Sequence, residues 1–193
     1  MILAKAGLLR QGFADRVTSD IVPPTLYHAV GQGALAVEIR VNDTEARRLC
    51  SALIHWQTSW RCLAERACLR VLEGGCSVPV GVHSELVLVP TSPEEGGGGG
   101  EGDVPHTARL RLVGTITAVD GSLHVEREIG RLVTSWEQAE ELGAQVGKEL
   151  INVGGREILE QVAVAKEREQ PAGTADEQNT NTVVVGEKGS SFQ

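Results

Sequence analysis

Apolar residues recur at two different periods along this chain, and the changes between them divide it. As far as Leu72 the spacing is mostly helical, from Val78 to Ile129 it alternates, and from Ser135 it is helical again. Ile2 to Gln11 reads as a short helix that Gly12 ends. Ile21-Val22-Pro23-Pro24 reads as a loop, and Val30 to Arg40, closing on Ala36-Val37-Glu38-Ile39, as a buried strand. Asn42 or Asp43 can cap a helix from Thr44 to about His55. A second helix follows with Trp60, Leu63, Ala64, Ala67 and Val71 on one face. Arg61, Glu65, Arg66, Arg70 and Glu73 fall on the other side, which predicts a solvated face laced by i,i+3 and i,i+4 pairs.

Beyond residue 77 the alternation predicts three antiparallel strands. Val78, Val80, Val82, Leu86 and Leu88 share one side of the first, and Ala108, Leu110, Leu112 and Ile116 one side of the second. Asp120-Gly121 signals a two-residue hairpin, with Leu123, Val125 and Ile129 on the far arm. Ser135 and Gln138 form a capping box for a helix that carries Ala139, Leu142, Val146 and Leu150 inward. Gly154-Gly155 stops it, and a last helix runs from Arg156 to about Lys166. The expected class is α+β, one three-stranded antiparallel sheet with helices on one face. Residues 92–103 contain five consecutive glycines between acidic residues and read as a flexible insertion, not a phosphate loop, because no Lys-Ser/Thr follows. Residues 167–193 read as a disordered tail.

Charge and cysteine content narrow the function. With 18 basic and 26 acidic residues among 193, the net charge is −8, and no basic stripe is available to neutralise nucleic-acid phosphates. No apolar run is long enough to span a membrane, and no signal-peptide pattern precedes the first helix. Cys50, Cys62, Cys68 and Cys76 contain no CxxC pair. Cys62 and Cys68 would point about 240° apart around their helix, so a zinc site is not expected and a reducing, cytoplasmic setting is.

One cysteine stands out. In Leu72-Glu73-Gly74-Gly75-Cys76-Ser77-Val78-Pro79 a helical pattern runs into two glycines, and the thiol follows on a loop that proline stiffens. Two glycines leave the backbone open to close approach by a bulky group. A thiol beyond a helix C-terminus gains nothing from the macrodipole, so an activated protease-type nucleophile is not expected. A thiol captured once by a strong electrophile is. By itself, such a cysteine could equally be a structural or redox-inert loop residue.

Three ordered blocks decide between these readings. They are Ala6-Gly7-Leu8-Leu9-Arg10-Gln11-Gly12-Phe13, then Ala29-Val30-Gly31-Gln32-Gly33-Ala34-Leu35-Ala36-Val37-Glu38, then Ala64-Glu65-Arg66-Ala67 running on to Pro79-Val80-Gly81. In order and spacing this stretch, from about residue 1 to 165, resembles hydroxymethylbilane synthase, also called porphobilinogen deaminase. The resemblance implies that Cys76 holds a dipyrromethane cofactor through a thioether. Four porphobilinogen units would add to that primer in turn, each losing ammonia, in tetrapyrrole and heme biosynthesis. It also implies that Gly74, Gly75 and Ser77 shape the cofactor loop, that Ser77 can reach a cofactor carboxylate, and that Gln32 lines the cleft. Gln32 could also simply satisfy backbone groups of its own turn. Gly31 and Gly33 are expected as backbone requirements rather than contacts.

The same resemblance implies a domain plan. Residues 1–55 would be a remnant of two cleft-forming α/β domains, with the Val30 to Arg40 strand left exposed, and residues 56–166 the cofactor-attachment domain. The family's catalytic aspartate and most of its substrate-binding arginines have no counterpart here. The chain is therefore expected to be a C-terminal fragment, inactive alone and monomeric when full length. The alternatives are a non-catalytic truncated isoform acting as a binding or decoy module, and a thiol-based metal or redox module, which the cysteine spacing disfavours.

Overall fold

The apolar stripe at Trp60, Leu63, Ala64, Ala67 and Cys68 is buried along one side of a 16-residue helix, α3 (Trp56–Val71). The computed structural model describes residues 1–72, 79–89 and 106–169. Before α3 stand two shorter helices, α1 (Lys5–Arg10) and α2 (Thr44–Ser51). After it come β1 (Val80–Leu88), β2 (Ala108–Thr117), β3 (His124–Val133), α4 (Trp136–Leu150) and α5 (Arg156–Glu169).

The three strands form one antiparallel sheet in the order β1-β2-β3, with Val82 opposite Gly114 and Leu112 opposite Ile129. Alternation explains its two faces. Val82, Ser84, Leu110, Leu112 and Ile116 are buried towards α3 and α4, and each fully buried leucine or isoleucine contributes about 1.5–3 kcal/mol. On the outer face Arg111 lies between Glu85 and Glu128, with its guanidinium Nη2 2.6 Å from Glu128 Oε2. The predicted α+β class is the observed one.

Helix α4 begins as the capping box requires, with one change. Ser135 Oγ accepts from Gln138 N at 3.4 Å, while Gln138 Oε1 accepts from the backbone N–H of Thr134 at 2.8 Å, one residue outside the cap. Ala139, Leu142, Val146 and Leu150 are all fully buried. Glycine lets α4 and α3 approach closely: a Cβ added at Gly143 would sit 1.9 Å from the Ala64 carbonyl oxygen. The wide turn Ile151–Gly155 bends at Gly154, φ 114°, before α5 starts.

Several local expectations are corrected. Val30 to Arg40 is no strand: a turn occupies 31–33 and no regular structure follows. A strand needs a ladder partner, and none of the described residues pairs with this stretch, so Leu35 is fully exposed and Val37 about half exposed. Helix α2, capped by Asp43 through Ala46 N at 2.8 Å, ends at Ser51 rather than His55. The β2–β3 connection is longer than a two-residue hairpin. Ala118 N donates to Leu123 O at 2.8 Å, enclosing residues 119–122, and Asp120 spends its carboxylate on the N–H and hydroxyl of Ser122. Leu88, expected inward, is 57% exposed, although its partner across the ladder, Ala108, is fully buried. The insertion at 92–103 and the tail beyond Glu169 lie outside the described residues.

Candidate functional site

The site is defined by what holds the two ends of the Cys76 loop. At one end Leu72, 2% exposed, closes α3 with its N–H on the Cys68 carbonyl at 3.3 Å. At the other the Pro79 carbonyl accepts from Thr117 N at 3.1 Å, and Val80 pairs with Ile116 in the sheet. Both anchors belong to the core. Gly74, Gly75, Cys76 and Ser77 lie between them, outside the described residues.

A third segment is fastened to both anchoring elements. His28 and Val82 exchange backbone hydrogen bonds of 3.0 and 2.8 Å, which adds a short bridge at the free edge of β1. Tyr27 crosses the outer face of the sheet over Gly81, and its hydroxyl donates to Glu126 Oε2 at 2.7 Å. The chain then turns at Gly31 (φ 70°) and Gly33 (φ 79°), both in left-handed backbone that favours glycine. Gln32 N donates to Ala29 O and Ala34 N to Gly31 O, closing the turn. Between the two glycines Gln32 is exposed, and among the described residues its side chain has no hydrogen-bond partner.

The turn is held from beneath by a residue expected to be solvated. Glu65 on α3 is only 7% exposed. Its Oε2 accepts from Gly31 N at 2.7 Å and its Oε1 from the buried Ser84 hydroxyl of β1, while Arg61 Nε donates to Ser84 Oγ at 3.0 Å. A buried carboxylate needs such donors to offset its lost hydration. One signal did exist in the sequence. Ser84 occupies an inward position between Val82 and Leu86, and a polar group there requires a partner.

Two other thiols, Cys62 and Cys68, are withdrawn from water on α3. Burial first, and then the Glu65 charge, pushes Cys68 up to about 12. Cys62 is raised too, mainly by partial burial. Among the described residues no group of histidine, cysteine and carboxylate side chains is arranged to hold a metal ion, and no helix is long and apolar enough to cross a membrane. An open groove between α3 and α4, lined by Ala67, Val71, Trp136 and Ala144, is bridged by an Arg70–Glu140 ion pair of 2.8 Å.

Among the described residues, the exposed Gln32 amide is able both to donate and to accept hydrogen bonds.

Two family models match this chain. Residues 1–48 match the family model described as porphobilinogen deaminase, dipyromethane cofactor binding domain, and residues 59–152 the one described as porphobilinogen deaminase, C-terminal domain. A porphobilinogen deaminase of Schizosaccharomyces pombe is 38% identical over 161 residues, covering 83% of this chain and 44% of the relative. One from Debaryomyces hansenii is 39% identical over 162 residues, 84% of this chain and 40% of the relative. One from Saccharomyces cerevisiae is 37% identical over 163 residues, 84% of this chain and 45% of the relative. The chain thus spans less than half the length of these curated relatives.

Proposed function

That this chain belongs to the porphobilinogen deaminase family is the premise from which we propose that it contributes the primer-attachment part of a hydroxymethylbilane synthase. The single observation that carries the proposal is the double anchoring, at Leu72 and at Pro79, of the stretch that contains Cys76, with a glycine turn exposing Gln32 fastened to both α3 and β1. In this reading a dipyrromethane joined to Cys76 by a thioether supplies the carbon nucleophile to which four porphobilinogen units add successively, each with loss of ammonia.

The chain's own residues then do three things. Cys76 supplies the thiol. The anchors at Leu72 and Pro79 limit where that thiol can go, which raises the effective concentration of a tethered chain end opposite each incoming unit. Gln32 and Ser77 offer hydrogen bonds to carboxylate or pyrrole N–H groups, and Gly75 leaves room for the ring system. The catalytic aspartate and the arginines that bind carboxylates belong, on this proposal, to the portion of the relatives outside the aligned stretch, so turnover by these residues alone is not expected. A cytoplasmic setting and a monomeric full-length state are parts of the same proposal.

A second reading, a non-catalytic binding or decoy module, is favoured by one observation. The core is built from residues 56–162 with little help from the first 55. Intact mass and peptide mapping of the protein from its natural source separate the two. A dipyrrole adduct on the Cys76 peptide, abolished by Cys76→Ser, supports primer attachment. An unmodified thiol together with no uptake of porphobilinogen would overturn it in favour of the binding module.

A further inference from the structure

We propose that Glu65 is a positioning residue for the Gly31-Gln32-Gly33 turn, fixing where Gln32 stands through the single N–H of Gly31. Gln32's role at the loop rests on the reading of Cys76 given above; the holding of the turn does not.

The geometry has three parts. Segment 27–33 is bonded to β1, which leaves the Cys76 loop, through His28 and Val82, and to α3, which enters it, through Glu65. Between residues 28 and 31 the side chain of Val30 packs on the core. Beyond Gly31 no comparable hold comes from the described residues: Gln32, Gly33, Ala34 and Leu35 are all exposed. Glu65 is therefore the last tertiary hold before the turn.

The bonding pattern also assigns each proton. Ser84 Oγ accepts from Arg61 Nε, so its own hydrogen goes to Glu65 Oε1, and Oε2 is left for Gly31. A carboxylate suits this place because both of its oxygens must accept. Glutamine can keep the Gly31 bond through its amide oxygen, provided Ser84 turns to accept from its NH2. Leucine fills the space and keeps neither bond.

The test uses the full chain, without cofactor, and reads amide hydrogen exchange and the 15N–1H spectrum. In the wild type the Gly31 amide exchanges about tenfold or more slowly than that of Gly33, whose N–H has no partner among the described residues, and resonates downfield as an amide bonded to a carboxylate. Glu65→Leu removes that difference while β2 amides from Leu110 to Ile116 stay protected, and Glu65→Gln restores most of it. Equal exchange of Gly31 and Gly33 in the wild type overturns the proposal, as does a loss of protection in Glu65→Leu that is uniform across the sheet. Should Glu65→Leu not fold, the wild-type comparison and Glu65→Gln still decide. Failure of the Cys76 adduct alongside a localised exchange effect would sink the primer reading and leave the positioning role of Glu65 standing.

Discussion

Tyr27 lies where Gly81 has no side chain. A Cβ added at Gly81 would fall 2.6 Å from Tyr27 Cβ and 2.8 Å from Thr115 Oγ1, both far inside contact distance. The missing methyl on β1 lets an aromatic side chain cross the row formed by Gly81, Thr115 and Glu126 and reach the carboxylate on β3. The N-terminal segment is thereby fastened to the sheet just after Pro79, the anchor at the far end of the Cys76 stretch.

Gly81→Ala should destabilise the protein by about 1–3 kcal/mol, because the new methyl must displace either Tyr27 or Thr115. Denaturant unfolding should show a lower midpoint with an unchanged slope. An unaltered midpoint would mean that Tyr27 does not rest on the strand.

Tyr27 is the only tyrosine, so its titration can be followed by the absorbance of phenolate alone. Burial first, and then the hydrogen bond to Glu126, pushes its hydroxyl from 10.0 up to about 12. A group whose folded pKa lies above its unfolded one stabilises the fold fully below pH 10 and loses that contribution as pH rises to about 12. The expected midpoint is thus near 12 in the folded chain, and Tyr27→Phe should flatten the stability loss over this window. A midpoint near 10 would show that the contact with Glu126 is not made.

Gly143→Ala tests the closest helix approach. With the added Cβ 1.9 Å from the Ala64 carbonyl oxygen, α4 cannot keep its place on α3. The expected loss is about 3 kcal/mol, at the upper end for overpacking, since rigid backbone rather than a side-chain tip must yield. Thermal melting followed by circular dichroism would register it, and a variant as stable as the wild type would refute the packing.

Thiol labelling ranks the cysteines. Cys68 is buried with its pKa near 12, so alkylation of the native protein at neutral pH should leave it unlabelled until the protein unfolds. Cys62, raised less, should react slowly and ahead of Cys68. If Cys76 carries a primer by thioether, it should stay unlabelled even after unfolding, which distinguishes covalent occupation from burial. Native labelling of Cys68 would contradict its place between α3 and the sheet.

Elements whose apolar period is completed by their own neighbours were legible in the sequence. The stripe of Trp60, Leu63, Ala64 and Ala67, the inward set Ala139, Leu142, Val146 and Leu150, the Ser135 cap and the meander of three strands all follow from local periodicity and turn chemistry. That Gly31 and Gly33 answer a backbone requirement was legible too, and the structure gives both a positive φ. Val30 to Arg40 failed for the converse reason: an apolar stretch becomes a strand only where another strand offers its N–H and C=O groups.

By itself, then, the sequence determined the α+β class, the order of helices and strands from α2 onward, the family and the presence of a cysteine directly after Gly74-Gly75. Tertiary structure alone decided that Glu65 is buried, that Ser84 and Gly31 are its donors, and that Tyr27 crosses Gly81 to Glu126. The reason is separation along the chain. Gly31 and Glu65 stand 34 residues apart and Tyr27 and Glu126 99 apart. Neither pair shares a local period, so only tertiary packing could bring each carboxylate to its donor and, for Glu65, remove it from water.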